Sequence, residues 1–239
     1  MFKNYLLTGW RNIRRSKGFS FLNIAGLAVG LAVFFLIVLY VQTELSYDAY
    51  HAYADRTYRL QNAWLKADGS IQGEFANLAP SYANLLRNDF PEIERLARIW
   101  GPGGTVLKSG DKSFTEERLF FAEPEIFDIL TLPLVKGDPA TALKDVGGLV
   151  LSRTMAGKYF GAADPMGQSV LLTGIGNREL RVTGVMEDLP ANTHLHIDFL
   201  ASYVTLAGLG GSGDNDYFLG TRNFSDNVTG MFVRLATPG

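Results

Sequence analysis

Between Lys17 and Glu44 the chain carries no charged residue, and the stretch from Phe21 to Val41, FLNIAGLAVGLAVFFLIVLYV, is almost wholly apolar. A helix rises about 1.5 Å per residue, so about 20 apolar residues cross a hydrocarbon core of about 30 Å. Phe21–Val41 meets that length. Lys3, Arg11, Arg14, Arg15 and Lys17 precede it without one acid, while Glu44, Asp48 and Asp55 follow it with only Arg56 among them. Positive charge on one flank predicts a cytoplasmic N-terminus, with the remainder beyond the membrane.

Two other readings of the stretch fit less well. A core helix that is apolar all round is usually shorter, and it would leave the basic flank without a purpose. A cleaved signal peptide has an apolar region of about 7–15 residues with a small-x-small site close behind. Here the nearest such triplet, Ala52-Tyr53-Ala54, lies well past the end of the apolar run. The expected division is a cytoplasmic amphipathic segment over 1–20, a membrane helix over 21–43 and an external region over 44–239, as one domain or two subdomains.

Residues 1–16 place Phe2, Tyr5, Leu6, Trp10 and Ile13 near helical spacing among basic residues. This suits a short helix lying on the lipid surface with Trp10 at headgroup level, or a plain extension of the span. Inside the span, Gly26 and Gly30 form a G-x-x-x-G that would let another membrane helix approach closely.

After the span, 17 basic residues face 24 acidic ones, a formal net charge of −7. Nucleic-acid affinity rests on Lys and Arg meeting phosphates, so no nucleic-acid partner is expected. Cysteine is absent, which excludes disulfides, thiolate nucleophiles and cysteine-based zinc sites.

Alternation predicts a strand at Thr57–Leu65, and apolar runs between turn signals predict strands at Ile93–Trp100, Gly104–Lys108, Lys112–Ala122, Leu149–Ser152, His196–Tyr203 and Val228–Ala236, with a hairpin of Gln168–Thr173 and Glu179–Met186. Helices are expected at Ala79–Asp89, Pro124–Leu130 and Arg153–Phe160. Turns are expected at Asp68-Gly69-Ser70 and Gly137-Asp138-Pro139, and a long loop from Leu206 to Gly220. In the segment LSRTMAGKYFGAADPMGQSV, Ser152 is placed to cap the helix and Gly161 to end it. The class is α+β: one membrane helix followed by a mixed α/β external domain.

Several segments together resemble a known family. WRNIRRSKGFSFLNIAGLAVGLA, ELSYDAYHAYADRTYRL, FPEIERLARIW, EIFDILTLPLVKGDPATAL, LSRTMAGKYFGAADPMGQSV and VTGVMEDLPANTHLHIDFL occur in this order. They resemble the N-terminal part of ABC-transporter permeases with a MacB-like periplasmic core domain, the group that includes FtsX-like and lipoprotein-release permeases. The likeness is strongest to the long permeases of Bacteroidetes-type bacteria. It implies a bacterial inner-membrane protein with a periplasmic domain of MacB core type. It also implies a separate cytoplasmic ABC ATPase subunit, other permease helices or a second permease copy, and a periplasmic adaptor or substrate protein. Family members continue into further membrane helices, so the chain is expected to be a fragment or a truncated product.

Reactive chemistry has thin support. His194, His196 and Asp198 form an HxHxD like part of a metallo-β-lactamase motif, and on a strand all three would face one way. The only other histidine is His51, and Phe199 stands where that motif carries its next histidine. A polar strand edge is the expected reading. No G-x-S-x-G elbow and no G-x-x-x-x-G-K-[ST] phosphate loop occur. GGTVLKSGDKS reads as a hairpin, and Glu116-Glu117 and Glu187-Asp188 as neighbours on opposite strand faces. No enzyme activity and no cofactor are expected. The readings carried forward are a permease part, a single-span ligand sensor and an anchored metal hydrolase.

Overall fold

The computed structural model describes residues 2–209 and 216–237. The chain divides into two units, Met1–Tyr47 and Asp48–Gly239.

In the first unit, α1 (Phe2–Arg15) and α2 (Lys17–Leu45) are separated at Ser16, whose φ of −118° and ψ of 59° leave the helical region. The basic segment is therefore a helix of its own rather than a continuation of the span. α2 has 29 residues, none buried, and its most apolar window has a mean hydropathy of 2.8. By length and composition it is able to cross a membrane.

The second unit is built on an eleven-stranded sheet ordered β1-β13-β4-β7-β12-β9-β11-β10-β5-β6, with β8 also paired to β11. In chain order the strands are β1 Thr57–Arg59, β2 Asn62–Leu65, β3 Ile71–Phe75, β4 Ile93–Trp100, β5 Thr105–Ser109, β6 Lys112–Glu116 and β7 Leu119–Ala122. They continue as β8 Leu134–Lys136, β9 Gly148–Ser152, β10 Ser169–Thr173, β11 Arg178–Met186, β12 Phe199–Ser202 and β13 Gly230–Leu235. Pairings are antiparallel except β12 with β7 and β11 with β9. β2 and β3 form a separate hairpin around the turn at Asp68-Gly69-Ser70. Among the described residues, three α-helices complete this unit: α3 (Tyr82–Asp89), α4 (Ile126–Ile129) and α5 (Arg153–Phe160).

The middle strands are buried on both faces, and successive residues serve opposite cores. On β9, Leu149 and Leu151 join one cluster while Val150 joins another; on β12, Phe199 and Ala201 oppose Leu200 in the same way. α5 covers the first cluster through Tyr159, with Met155 packed at its margin, and α4 supplies Ile126 and Ile129 to the second. α3 closes a third around Leu96, Met231 and Val233. The Ser152 hydroxyl accepts from Met155 N at 3.3 Å, and Gly161 ends α5 with φ 63°. Gly110, at φ 55°, turns the β5–β6 hairpin.

The expected strand over Thr57–Leu65 is two strands in different sheets. Leu60 N still bonds Met231 O, after which the chain leaves the main sheet. Lys112–Ala122 likewise breaks, because β6 pairs with β5 whereas β7 pairs with β4 and β12. Helix α3 begins three residues later than Ala79, after a turn in which Tyr82 N bonds Ala79 O. The expected loop from Leu206 to Gly220 is a turn at its first residues, and 210–215 lie outside the described residues.

Candidate functional site: the segment that follows the membrane helix

Asp48 opens the second unit, and the residues from there to Arg56, DAYHAYADR, set two Asp, two Tyr, one His and one Arg among three Ala. They form turns that end in a short 3-10 helix at Ala54–Arg56. Asp48 sits at φ 55°, a left-handed conformation that Asp tolerates better than bulky residues do. That conformation lets both its backbone and its side chain meet one loop. Its N–H donates to Asn192 O at 3.1 Å. Its Oδ1 accepts from Thr193 Oγ1 at 3.0 Å and from His194 N at 3.1 Å, and its Oδ2 lies 2.8 Å from His194 Nδ1. Tyr50 donates its hydroxyl to Thr193 Oγ1 at 3.1 Å.

A second set of bonds reaches the other side of the segment. His51 Nδ1 accepts from Thr131 N at 3.0 Å, and Thr131 Oγ1 accepts from Ala52 N at 2.8 Å. The His51 ring lies against Tyr50 with centroids 4.1 Å apart, and its Nε2 is 3.9 Å from Asp48 Oδ1. An Nδ1 that accepts a backbone proton places the imidazole's own hydrogen on Nε2, toward Asp48. Further along, the Tyr53 ring is flanked by Arg56 at 4.5 Å and Arg234 at 4.4 Å. Glu94 balances those two cations, accepting two bonds from Arg234 at 2.8 and 3.1 Å and one from Arg56 at 3.3 Å. Arg56 also donates to Leu235 O and Ala236 O at the end of β13.

The electrostatics follow from these contacts. Burial pushes the Asp48 carboxyl upward, but the hydrogen bonds from His194 and Thr193 outweigh it and hold the carboxyl below the usual range. Burial pushes the His51 imidazole down, against the opposing pull of Asp48. Hydrogen bonds from Arg234 keep Glu94 low. The arrangement is a binding network with no nucleophile-and-base pair. Chemically it fastens the chain's entry point to a loop, to Thr131 and to the end of β13.

The HxHxD residues are not brought together. The segment before Phe199 is a loop, so the alternation that would align the three on one face is missing. His194 pairs with Asp48, whereas the His196 side chain is exposed. Asp198 is partly buried, and burial raises its carboxyl against the pull of Arg118. Among the described residues, no three His, Cys, Asp or Glu side chains are placed to hold a metal ion. Gly26 and Gly30 lie on the exposed surface of α2, and a Cβ built on either meets nothing within 4 Å. Sequence reasoning missed Asp48, Tyr50, His51, Thr131 and Thr193 as a group. The one local signal was the DAYH cluster directly after the span.

Comparison with known proteins matches this architecture. The description MacB-like periplasmic core domain fits residues 20–239. A domain of a protein described as a permease from Porphyromonas gingivalis superposes with a TM-score of 0.65 at 21% identity, covering 79% of this chain and 76% of that one. The periplasmic region of MacB from Actinobacillus actinomycetemcomitans gives 0.54 at 19% identity, covering 78% and 77%. The extracellular domain of the noncanonic ABC-type transporter YknZ from Gram-positive bacteria gives 0.50 at 14% identity, covering 76% and 84%. At these identities the likeness is one of fold. No curated protein matches the chain. With the family description spanning the apolar helix and the whole domain after it, the chain belongs to the proteins with a MacB-like periplasmic core domain.

Proposed function

We propose that this chain is the membrane-anchored periplasmic portion of an ABC-transporter permease. In this reading, ATP hydrolysis on a separate cytoplasmic subunit is coupled through the membrane helices to export or other work in the periplasm. The observation that carries the reading is the family match over 20–239, which begins inside the apolar helix and runs on through the folded domain. The network from Asp48 to Arg56 supports it, because the chain is continuous from α2 into that segment. A displacement of the helix would reach a stretch already tied to the 192–194 loop, to Thr131 and to β13. Coupling of this kind needs a stiff joint and no reactive group, so the chain itself catalyses nothing in this proposal.

The N-terminus lies in the cytoplasm and the domain in the periplasm of a bacterial inner membrane, with a second permease copy or other permease helices alongside α2 and an adaptor or substrate protein engaging the domain. The chain has no cysteine, so one introduced cysteine reports its own location. In intact spheroplasts a membrane-impermeant maleimide is expected to label Asp68→Cys and to spare Thr8→Cys. The reverse pattern overturns the topology. The coupling is tested by isolating the gene's full product from its native host under mild detergent and identifying co-purifying ATPase subunits. A preparation that contains the permease and no ATPase overturns it.

A further inference from the structure

Helix α1 carries a second surface that the coupling reading does not use. Successive residues rotate by about 100°, which sets Tyr5, Trp10 and Ile13 on one face and Arg11 and Arg15 on the opposite one, with Arg14 at the boundary. The apolar members are bare: Tyr5 is 76% exposed, Trp10 59% and Ile13 43%. The Arg14 guanidinium lies over the Trp10 ring, 5.8 Å from its centroid. No acidic residue precedes Glu44 in the chain, whereas Arg11, Arg14, Arg15 and Lys17 do. Where α1 meets α2, a pocket of about 520 Å³ is lined by Ile13, Ser16, Phe19, Ser20, Asn23 and Ile24, half polar and half apolar.

We propose that α1 and the elbow at Ser16 form a binding site for anionic phospholipid headgroups. The start of α2 at Lys17 fixes where the bilayer begins, which puts α1 at the headgroup boundary on chain continuity alone. There the exposed Tyr5–Trp10–Ile13 face is covered by the acyl boundary, and Arg11, Arg14, Arg15 and Lys17 meet phosphate oxygens by charge-assisted hydrogen bonds. The elbow pocket matches a lipid's glycerol region, with serine and asparagine for its esters and isoleucine and phenylalanine for the first methylenes. A zwitterionic lipid offers the same apolar cover but cancels each phosphate with its own cation. Lipids of net negative charge are therefore selected.

The inference rests on the membrane-crossing part of the proposed function and is independent of any ATPase. The test uses the full chain in nanodiscs of phosphatidylcholine with 30% phosphatidylglycerol, with dibrominated acyl chains on one lipid or the other. Trp10 is isolated as the difference between the wild type and Trp10→Phe. Quenching per mole of brominated lipid is expected to be about twofold or more stronger for phosphatidylglycerol. Arg11→Gln/Arg14→Gln/Arg15→Gln removes that preference, and raised salt weakens it. Equal quenching by the two lipids overturns the site, as does a preference that survives the triple substitution. Inorganic phosphate that erases the preference at millimolar concentration assigns the cluster to a free anion instead of a lipid. Protein that never enters nanodiscs overturns both this inference and the membrane anchoring beneath it.

Discussion

The Arg98 guanidinium grips the Glu123 carboxylate from inside the domain, with Nη2 at 2.6 Å and Nε at 3.0 Å from Oε1. The other carboxylate oxygen accepts from Arg98 N at 2.8 Å and from Arg87 Nη2 at 2.7 Å. Burial disfavours both charges, yet the pairing wins: Arg98 is held charged, and Glu123 is held below the usual carboxylate range. Arg98 Nη1 also donates to Phe218 O, so the pair ties β4 to the chain beyond residue 216. Breaking one partner strands a charge. Glu123→Ala is expected to cost about 3–5 kcal/mol, whereas replacing both members by apolar residues, Arg98→Met with Glu123→Leu, is expected to recover most of that loss. Urea unfolding of the full chain in detergent, followed by tryptophan fluorescence, measures both. Additive losses in the double variant would show that the two residues do not act as a pair.

Gly137 is a stricter position than its place in a turn suggests. Its φ is 93°, and a Cβ built there runs into the carbonyl oxygen of Thr183 and the Cα of Gly184 on the adjacent β11. Neither neighbour is the free end of a side chain, so neither yields cheaply. Gly137→Ala is expected to destabilise the domain by more than about 1 kcal/mol. Gly174→Ala is the matched control, since its φ is 98° but open space surrounds it. The difference between their unfolding midpoints isolates the steric part from the backbone part.

What the sequence disclosed depended on how local each cause was. β4 and α5 were legible to the residue, because Gly101-Pro102-Gly103 marks where Ile93–Trp100 stops and Ser152 and Gly161 bracket the short helix between them. β8 was not, because three residues cannot display a period. Thr57–Leu65 misled because its alternation is real but serves two sheets, a choice made by β13 and β3 elsewhere in the chain. The candidate site was the least legible part. Asp48 and His194 are 146 residues apart, and nothing near either one signals the other. His194 drew notice as a metal ligand through its neighbours His196 and Asp198, while its actual partner lay beside the membrane helix.

Acid is expected to loosen the entry segment before it affects the core. His51 is held neutral by burial and by the proton it accepts from Thr131 N, so the folded state binds fewer protons there than the unfolded chain. Its contribution is complete above an ordinary imidazole pKa of about 6.5 and drains away as pH falls from there toward its depressed folded value. Asp48, also depressed, acts the same way in a lower window, beginning at about 4 where free carboxyls take up protons. Unfolding free energy should therefore fall as pH drops below about 7, by at most about 1.4 kcal/mol per pH unit for this one proton. His51→Gln keeps an acceptor for Thr131 N and does not titrate. It is expected to flatten the slope in that window and leave the lower one in place. An unchanged slope would place the titrating group elsewhere.

Gly26 and Gly30 are one turn apart on the surface of α2, and among the described residues a Cβ built at either position meets nothing within 4 Å outside the helix's own backbone. Gly26→Leu and Gly30→Leu should therefore leave the domain's unfolding midpoint where it is, and they add apolar bulk to a helix that is already apolar on every side. Their effect is confined to whatever approaches that face. If another membrane helix packs there, it does so through close backbone contact, which a leucine forbids. Each substitution is then expected to lower association between copies, or with other permease helices, by about tenfold, equivalent to about 1.4 kcal/mol. Energy transfer between labelled copies in lipid vesicles measures the first, and co-purification measures the second. Ala28→Leu, a small-to-large change on the opposite face of the same helix, is the control that should do neither. Association unchanged in both glycine variants would show that α2 meets its neighbours through another face.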